Sequence, residues 1–108
     1  MRLNPDQLRQ GDVLLVRAQD QDATEPESIA SDGSTVLAHG EVTGHRHRLE
    51  RASEAQALTG SRIRQLLVGL DAPLIHEEHK TVVIPAGRYD LPRQVEWTDA
   101  LEPRQVAD

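Results

Sequence analysis

The feature that most constrains this chain is its apolar pattern, which comes in short runs with turn residues between them. Val13-Leu14-Leu15-Val16 is the first run. Thr35-Val36-Leu37-Ala38, Leu66-Leu67-Val68, Pro73-Leu74-Ile75 and Thr81-Val82-Val83-Ile84 follow it. Short apolar or β-branched runs bounded by Gly, Pro and polar residues read as strands, because a half-buried pleated surface needs few residues and frequent reversals. His45 to Arg51, Tyr89 to Leu91 and Gln94 to Trp97 extend the series, and Ala55, Ala57 and Leu58 make a weaker addition. Pro85-Ala86-Gly87 is a turn signal in which Gly87 is free to take positive φ. The expectation is an all-β domain of about seven or eight short strands, closed as a small barrel or layered as a sandwich.

Little of the chain reads as anything else. Asn4 to Arg9 fits one helical turn, with Asn4 as N-cap and Pro5 at the first helical position, broken by Gly11-Asp12. Thr98 to Glu102 fits another, stopped by Pro103. From Gln19 to Ser34 the chain is polar and acidic, with Pro26 and Gly33, and reads as a mobile loop at 19–34 of a single domain spanning 1–108.

Composition removes whole classes of function. The core must be aliphatic, since 13 Leu, 9 Val and 4 Ile stand beside one Trp, one Tyr and no Phe. Eleven Arg and one Lys face eighteen Asp and Glu, for a net charge of −6. Such a chain lacks the basic patch and the aromatic platform of a nucleic-acid binder. No apolar run approaches the roughly 18 residues needed to cross a bilayer, and the first residues carry no apolar signal region. The expectation is therefore a cytoplasmic protein with neither nucleic-acid nor membrane partners. Exposed strand edges on a small β-domain favour a homodimer. With no Cys in the chain, any metal falls to nitrogen and oxygen ligands.

Those nitrogen ligands are clustered. All five His lie between residues 39 and 79, and four form the pairs His45/His47 and His76/His79. On a strand, residues two apart share a face, so His45, His47 and Leu49 point one way and Arg46, Arg48 and Glu50 the other. His76 and His79 flank Glu77-Glu78, and either a tight hairpin or a helical turn there would bring the two rings together. Imidazole titrates near pH 6.5 when unperturbed, to within about a unit, and its neutral form is the commonest metal ligand. His45, His47, His76 and His79 are thus the candidate ligands of a divalent transition metal: Zn, Fe, Mn, Ni or Cu. His39, Glu41 and Glu50 are candidates for an extra ligand or an orienting contact, with Glu41 favoured over Glu50 on strand geometry. Glu41 and Glu78 are the candidate acid–base groups.

Two resemblances accompany these residues. Gly40-Glu41-Val42-Thr43-Gly44-His45-Arg46-His47, followed by Glu50, resembles the first motif of the cupins, and Ile84-Pro85-Ala86-Gly87 the PxG turn of their second. Cupins are small β-barrels that hold a metal on three His and one Glu, so the resemblance implies His45 and His47 as ligands and a cupin-like barrel. The gap from Gly40 to His45 and the gap from His47 to Glu50 are both shorter than that pattern, and Asp90 stands where its last His belongs. A second resemblance covers most of the chain. Residues 40–48, His76-Glu77-Glu78-His79, Pro85 to Tyr89 and Arg93 to Trp97 are similar to small bacterial and phage proteins that carry GEVTGHxHR, HEEH, PxGxY and RQxEY.

Two functions from different classes are compatible with these residues. One is a metal-dependent enzyme acting on a small molecule, with an open coordination position for Lewis-acid or water-activating chemistry. The other is a non-catalytic interaction module stabilised by a closed metal site or by dimerisation. Metal-free chemistry by a His pair is weaker, because His79-Lys80-Thr81 is the single HxT in the chain.

Overall fold

The structure, a computed structural model, defines residues 6–39, 44–92, 95–97 and 103–105. Twelve strands run through them: β1 (Gln7–Gln10), β2 (Val13–Arg17), β3 (Ala23–Pro26), β4 (Thr35–His39), β5 (Arg46–Leu49), β6 (Ala55–Gly60), β7 (Arg64–Val68), β8 (Ala72–Ile75), β9 (Val82–Ile84), β10 (Gly87–Leu91), β11 (Val95–Trp97) and β12 (Pro103–Gln105). Ten of them build two antiparallel sheets, ordered β1-β2-β10-β7-β6-β3 and β4-β5-β8-β9, while β11 and β12 pair separately. No helix occurs among the described residues, and no helix is long and apolar enough to cross a membrane.

The all-β expectation holds, in the form of a sandwich. A closed barrel is corrected, because the strands divide between two separate sheets, with β1 beside β9 and β4 beside β6 where those sheets meet. The strand count also exceeds seven or eight, because polar segments are recruited by pairing. Gln7–Gln10, which the sequence pattern fits to a helical turn, is a strand paired with β2, so Gly11-Asp12 is a hairpin turn and not a helix stop. Ala23–Pro26, within the expected loop, pairs with β6 across a register shift. Pro103 opens a strand opposite Trp97 and does not end a helix. Asn4 and Pro5, and the helical turn at Thr98 to Glu102, lie outside the described residues.

The core lies between the sheets. Leu15 and Leu66 from one meet Leu49, Leu74 and Ile84 from the other, all at 0% exposure. Burying an aliphatic side chain of this size contributes about 1.5–3 kcal/mol. The strands alternate to supply it, as β2 and β4 do with their buried and half-buried positions. Tyr89, the large aromatic of the core, is 1% exposed. Its hydroxyl donates to the Pro85 carbonyl at 2.7 Å, and Arg17 donates to that hydroxyl. Burial pushes the phenol pKa up.

A polar lock holds the first sheet to its long loop. Gln65 is 1% exposed, and its Oε1 accepts from the backbone N–H groups of Asp22 and Ala23 and from Arg88. Its Nε2 donates to the Asp20 carbonyl and to Asp90 Oδ1 at 2.7 Å. The start of the 19–34 segment is thereby tied to the middle of the sheet. Gln65→Leu fills the same space but leaves those groups buried without partners. It is expected to lower the unfolding free energy by about 3 kcal/mol or more. Val83→Ala, at a 59% exposed position, should change it by less than about 0.5 kcal/mol. Urea titration of both variants beside the parent protein checks the contrast.

Candidate metal centre

The centre is built by one strand pairing. β5 and β8 run antiparallel with Arg48 opposite Ile75 and Leu49 opposite Leu74. One step past the end of β8 the same register brings His47 level with His76, and the chain then bends through Glu77, Glu78 and His79. Residues directly opposed in an antiparallel pair share a face, and alternate residues swap faces. Leu49 and His47 therefore line one face with Leu74 and His76. Arg46 and Arg48 take the other.

Side-chain contacts follow this layout. The His47 and His76 rings lie 4.3 Å apart between centroids, and both residues are buried, at 0% and 5% exposure. His45 meets His76 edge-on at 5.5 Å, and its Nδ1 lies 3.3 Å from Glu78 Oε1. Where the ladder ends, Glu77 Oε2 accepts from the Arg46 backbone N–H at 2.9 Å, and its Oε1 lies 3.4 Å from the Arg48 guanidinium. Asp32 pairs with Arg46 from the far side.

The six residues from 76 to 81 between β8 and β9 are wider than a tight hairpin, so His76 and His79 are not opposed across one. They meet because the loop folds over His76, whose Nδ1 accepts from the backbone N–H groups of Glu78 and His79 at 3.0 and 3.2 Å. The His76 and His79 ring centroids are 4.4 Å apart. Nitrogens of His47, His76 and His79 all lie within 4.8 Å of one another, close enough for the three to hold a metal ion. Two imidazole nitrogens sharing one Zn²⁺ at about 2.1 Å stand roughly 3.0–3.4 Å apart, so a bound ion would draw the rings inward.

The floor of the cluster comes from the other sheet. Gln10, the last residue of β1 and 2% exposed, contacts His47 Nδ1 through its Oε1 at 2.9 Å. Gly11 begins the β1–β2 turn at φ +55°, a conformation suited to Gly, and the His79 ring occupies the space a side chain would need. A Cβ there would stand 2.5 Å from His79 Nε2.

The four candidate His residues and Glu78 are thus brought together, although His45 stands outside the close group of three. Glu41 lies outside the described residues. Glu50 is exposed beyond the end of β5, and His39 is exposed at the end of β4 opposite Arg46. Asp90 belongs to the Gln65 lock on the other sheet. Sequence reasoning missed Gln10 and Gly11. The signal available for Gly11 was its place between two runs that could pair as a hairpin, whereas a polar Gln at a strand end announces nothing of a partner 37 residues away.

The chain matches a family model described as a Domain of unknown function (DUF8820) over residues 9–94, and it belongs to that family. Searches of curated proteins and of solved structures returned no match.

Glu77 ties the loop to β5, and the hydrogen bond from the Arg46 N–H holds its carboxyl pKa below the ordinary 4.5, with further lowering from the Arg48 charge. A depressed folded-state pKa means that this contribution is complete above the unfolded value and is lost as pH falls through the folded one. The stability difference between the parent protein and Glu77→Gln should therefore be constant from pH 8 to about 6 and shrink below about pH 4.5. Paired urea titrations at stepped pH measure it, and a difference that grew on acidification would contradict this role.

Proposed function

We propose that this chain is a divalent-metal-binding β-sandwich in which His47, His76 and His79 hold the ion. The convergence of three imidazoles from two segments about 30 residues apart in sequence carries the reading. His47 and His76 form the buried side of the site, and half-exposed His79 forms the side toward solvent. Three protein ligands leave a coordination position for water or a small-molecule substrate, which is the arrangement of a catalytic ion acting as a Lewis acid. Glu78, beside His45 at the rim, is the group placed to exchange protons with a molecule bound there. The likeness to cupins supports this reading through His45-Arg46-His47 alone, since His76 and His79 precede the PxG turn.

His76 is the ligand that changes most on loading. Its Nδ1 accepts two backbone hydrogen bonds, so the neutral ring carries its proton on Nε2. Coordination requires the ring either to turn over about Cβ–Cγ or to give Nδ1 to the metal in place of the amides. Both routes release the N–H groups of Glu78 and His79.

A second reading is favoured by burial. With His47 and His76 almost wholly enclosed, recruitment of His45 as a fourth ligand would close the site. The ion would then be structural, contributing folding free energy directly.

Metal analysis of untagged protein, followed by Zn²⁺ and Co²⁺ titration, tests the proposal. One equivalent is expected in the parent protein and none in His47→Ala or His76→Ala. Affinity should fall as pH is lowered, because protons compete for the imidazole nitrogens. The amide resonances of Glu78 and His79 should shift on loading. Four-nitrogen Co²⁺ spectra and unfolding on chelation would select the structural reading, while an exchangeable water would select the catalytic one. Absence of stoichiometric binding by any of Zn, Fe, Mn, Ni or Cu would end both. Sedimentation of the same samples reads the expected homodimer.

A further inference from the structure

We propose that Gln10 is the positioning residue of this centre, setting the tautomer of His47 and fastening the loop that carries His76 and His79; the inference rests on the metal-binding reading. The amide of Gln10 has no freedom of orientation. Its Nε2 donates to the Leu74 carbonyl in β8 and to the Lys80 carbonyl beyond His79, both at 2.8 Å. The nitrogen end is consumed by two backbone acceptors, so the oxygen end must face His47. A carbonyl oxygen can only accept, so His47 donates from Nδ1, and its neutral ring holds the lone pair on Nε2. That is the ligand form of a histidine whose other nitrogen is oriented by a hydrogen-bonded partner.

One side chain from the far sheet therefore does two things. It selects which nitrogen of His47 can bind an ion, and it clips both ends of the segment from Leu74 to Lys80 to the β1–β2 hairpin. Gln suits this position where its neighbours in chemistry do not. A carboxylate could accept from His47 but would face the Leu74 and Lys80 carbonyls with no proton to offer. Methionine keeps the length and loses every hydrogen bond. The two substitutions separate the tasks: Gln10→Glu keeps an acceptor for His47 and releases the loop, and Gln10→Met removes both.

The decisive measurement is the imidazole ¹⁵N spectrum of metal-free protein at neutral pH. The parent protein should show His47 as the Nδ1–H tautomer, and Gln10→Glu should keep it, while Gln10→Met should lose that preference. Zn²⁺ affinity of Gln10→Met should fall about 10- to 100-fold. A His47 found as the Nε2–H tautomer in the parent protein overturns the proposal, whether or not either variant folds. So does a folded Gln10→Met with unchanged tautomer and unchanged Zn²⁺ affinity. If no protein in the set binds Zn²⁺, the metal reading falls alone. The tautomer comparison then still decides whether Gln10 orients His47.

Discussion

Everything at the candidate centre depends on the register between β5 and β8. That register opposes Leu49 to Leu74 in the core. One step further it brings His47 level with His76, before the chain bends at Glu77. Because side chains alternate across a sheet, a slip of one residue would turn the histidines outward and the arginines into the core. Several interactions resist that slip together. The leucines gain burial only on the inner face, and Glu77 at the end of the ladder bonds the Arg46 amide and stands beside the Arg48 guanidinium. The packing that builds the core is thus the packing that assembles the histidines.

This dependence explains why the cluster is buried despite being polar. His47 and His76 sit at the end of a row that begins with Leu49 and Leu74, and they continue the inner face toward its rim. Imidazoles there are tolerable because their nitrogens are given directed partners, Gln10 for His47 and two loop amides for His76. A register shift interrupts the β4–β5 pairing between Val36 and Ala38. It leaves Leu37 without a direct partner on β5, and the Leu37 carbonyl accepts from Arg64 of the opposite sheet. Arg64 in turn is paired with Glu27, whose carboxyl is held below its usual pKa chiefly by that hydrogen bond. Bulges of this kind bend an edge and re-aim the residues beside it.

The legible parts of the fold were those where burial imposes a local pattern. The apolar runs of β2, β4, β7, β8 and β9 stand in the sequence as strands because each fills the core on its own account. Gln7–Gln10 and Ala23–Pro26 hold few apolar residues and became strands because a neighbouring edge offered hydrogen bonds. No local signal marks such a segment. The pairing of the histidine segments lay between these extremes. His47 and Leu49 on one segment and Leu74 and His76 on the other have the same two-residue spacing, so one antiparallel register sets Leu on Leu and His on His.

The centre also stands where the two sheets meet. His47, His76 and His79 belong to the four-stranded sheet and its loop, and Gln10 and Gly11 belong to a hairpin of the six-stranded one. The chain has no Phe and little aromatic mass, so its core is a thin layer of leucine and valine, with Tyr89 as its large member. In such a domain a contact that crosses between layers weighs more than one within a sheet, since each sheet already has its own backbone ladder. Gln10 crosses with three hydrogen bonds, and Gly11 lets His79 close against the hairpin. An ion held by the histidines would stiffen the very loop that Gln10 clips. Order in that loop and order between the sheets would then rise together, which is why a mutation on the β1–β2 hairpin and one on the histidines should be energetically coupled in spite of their distance in sequence.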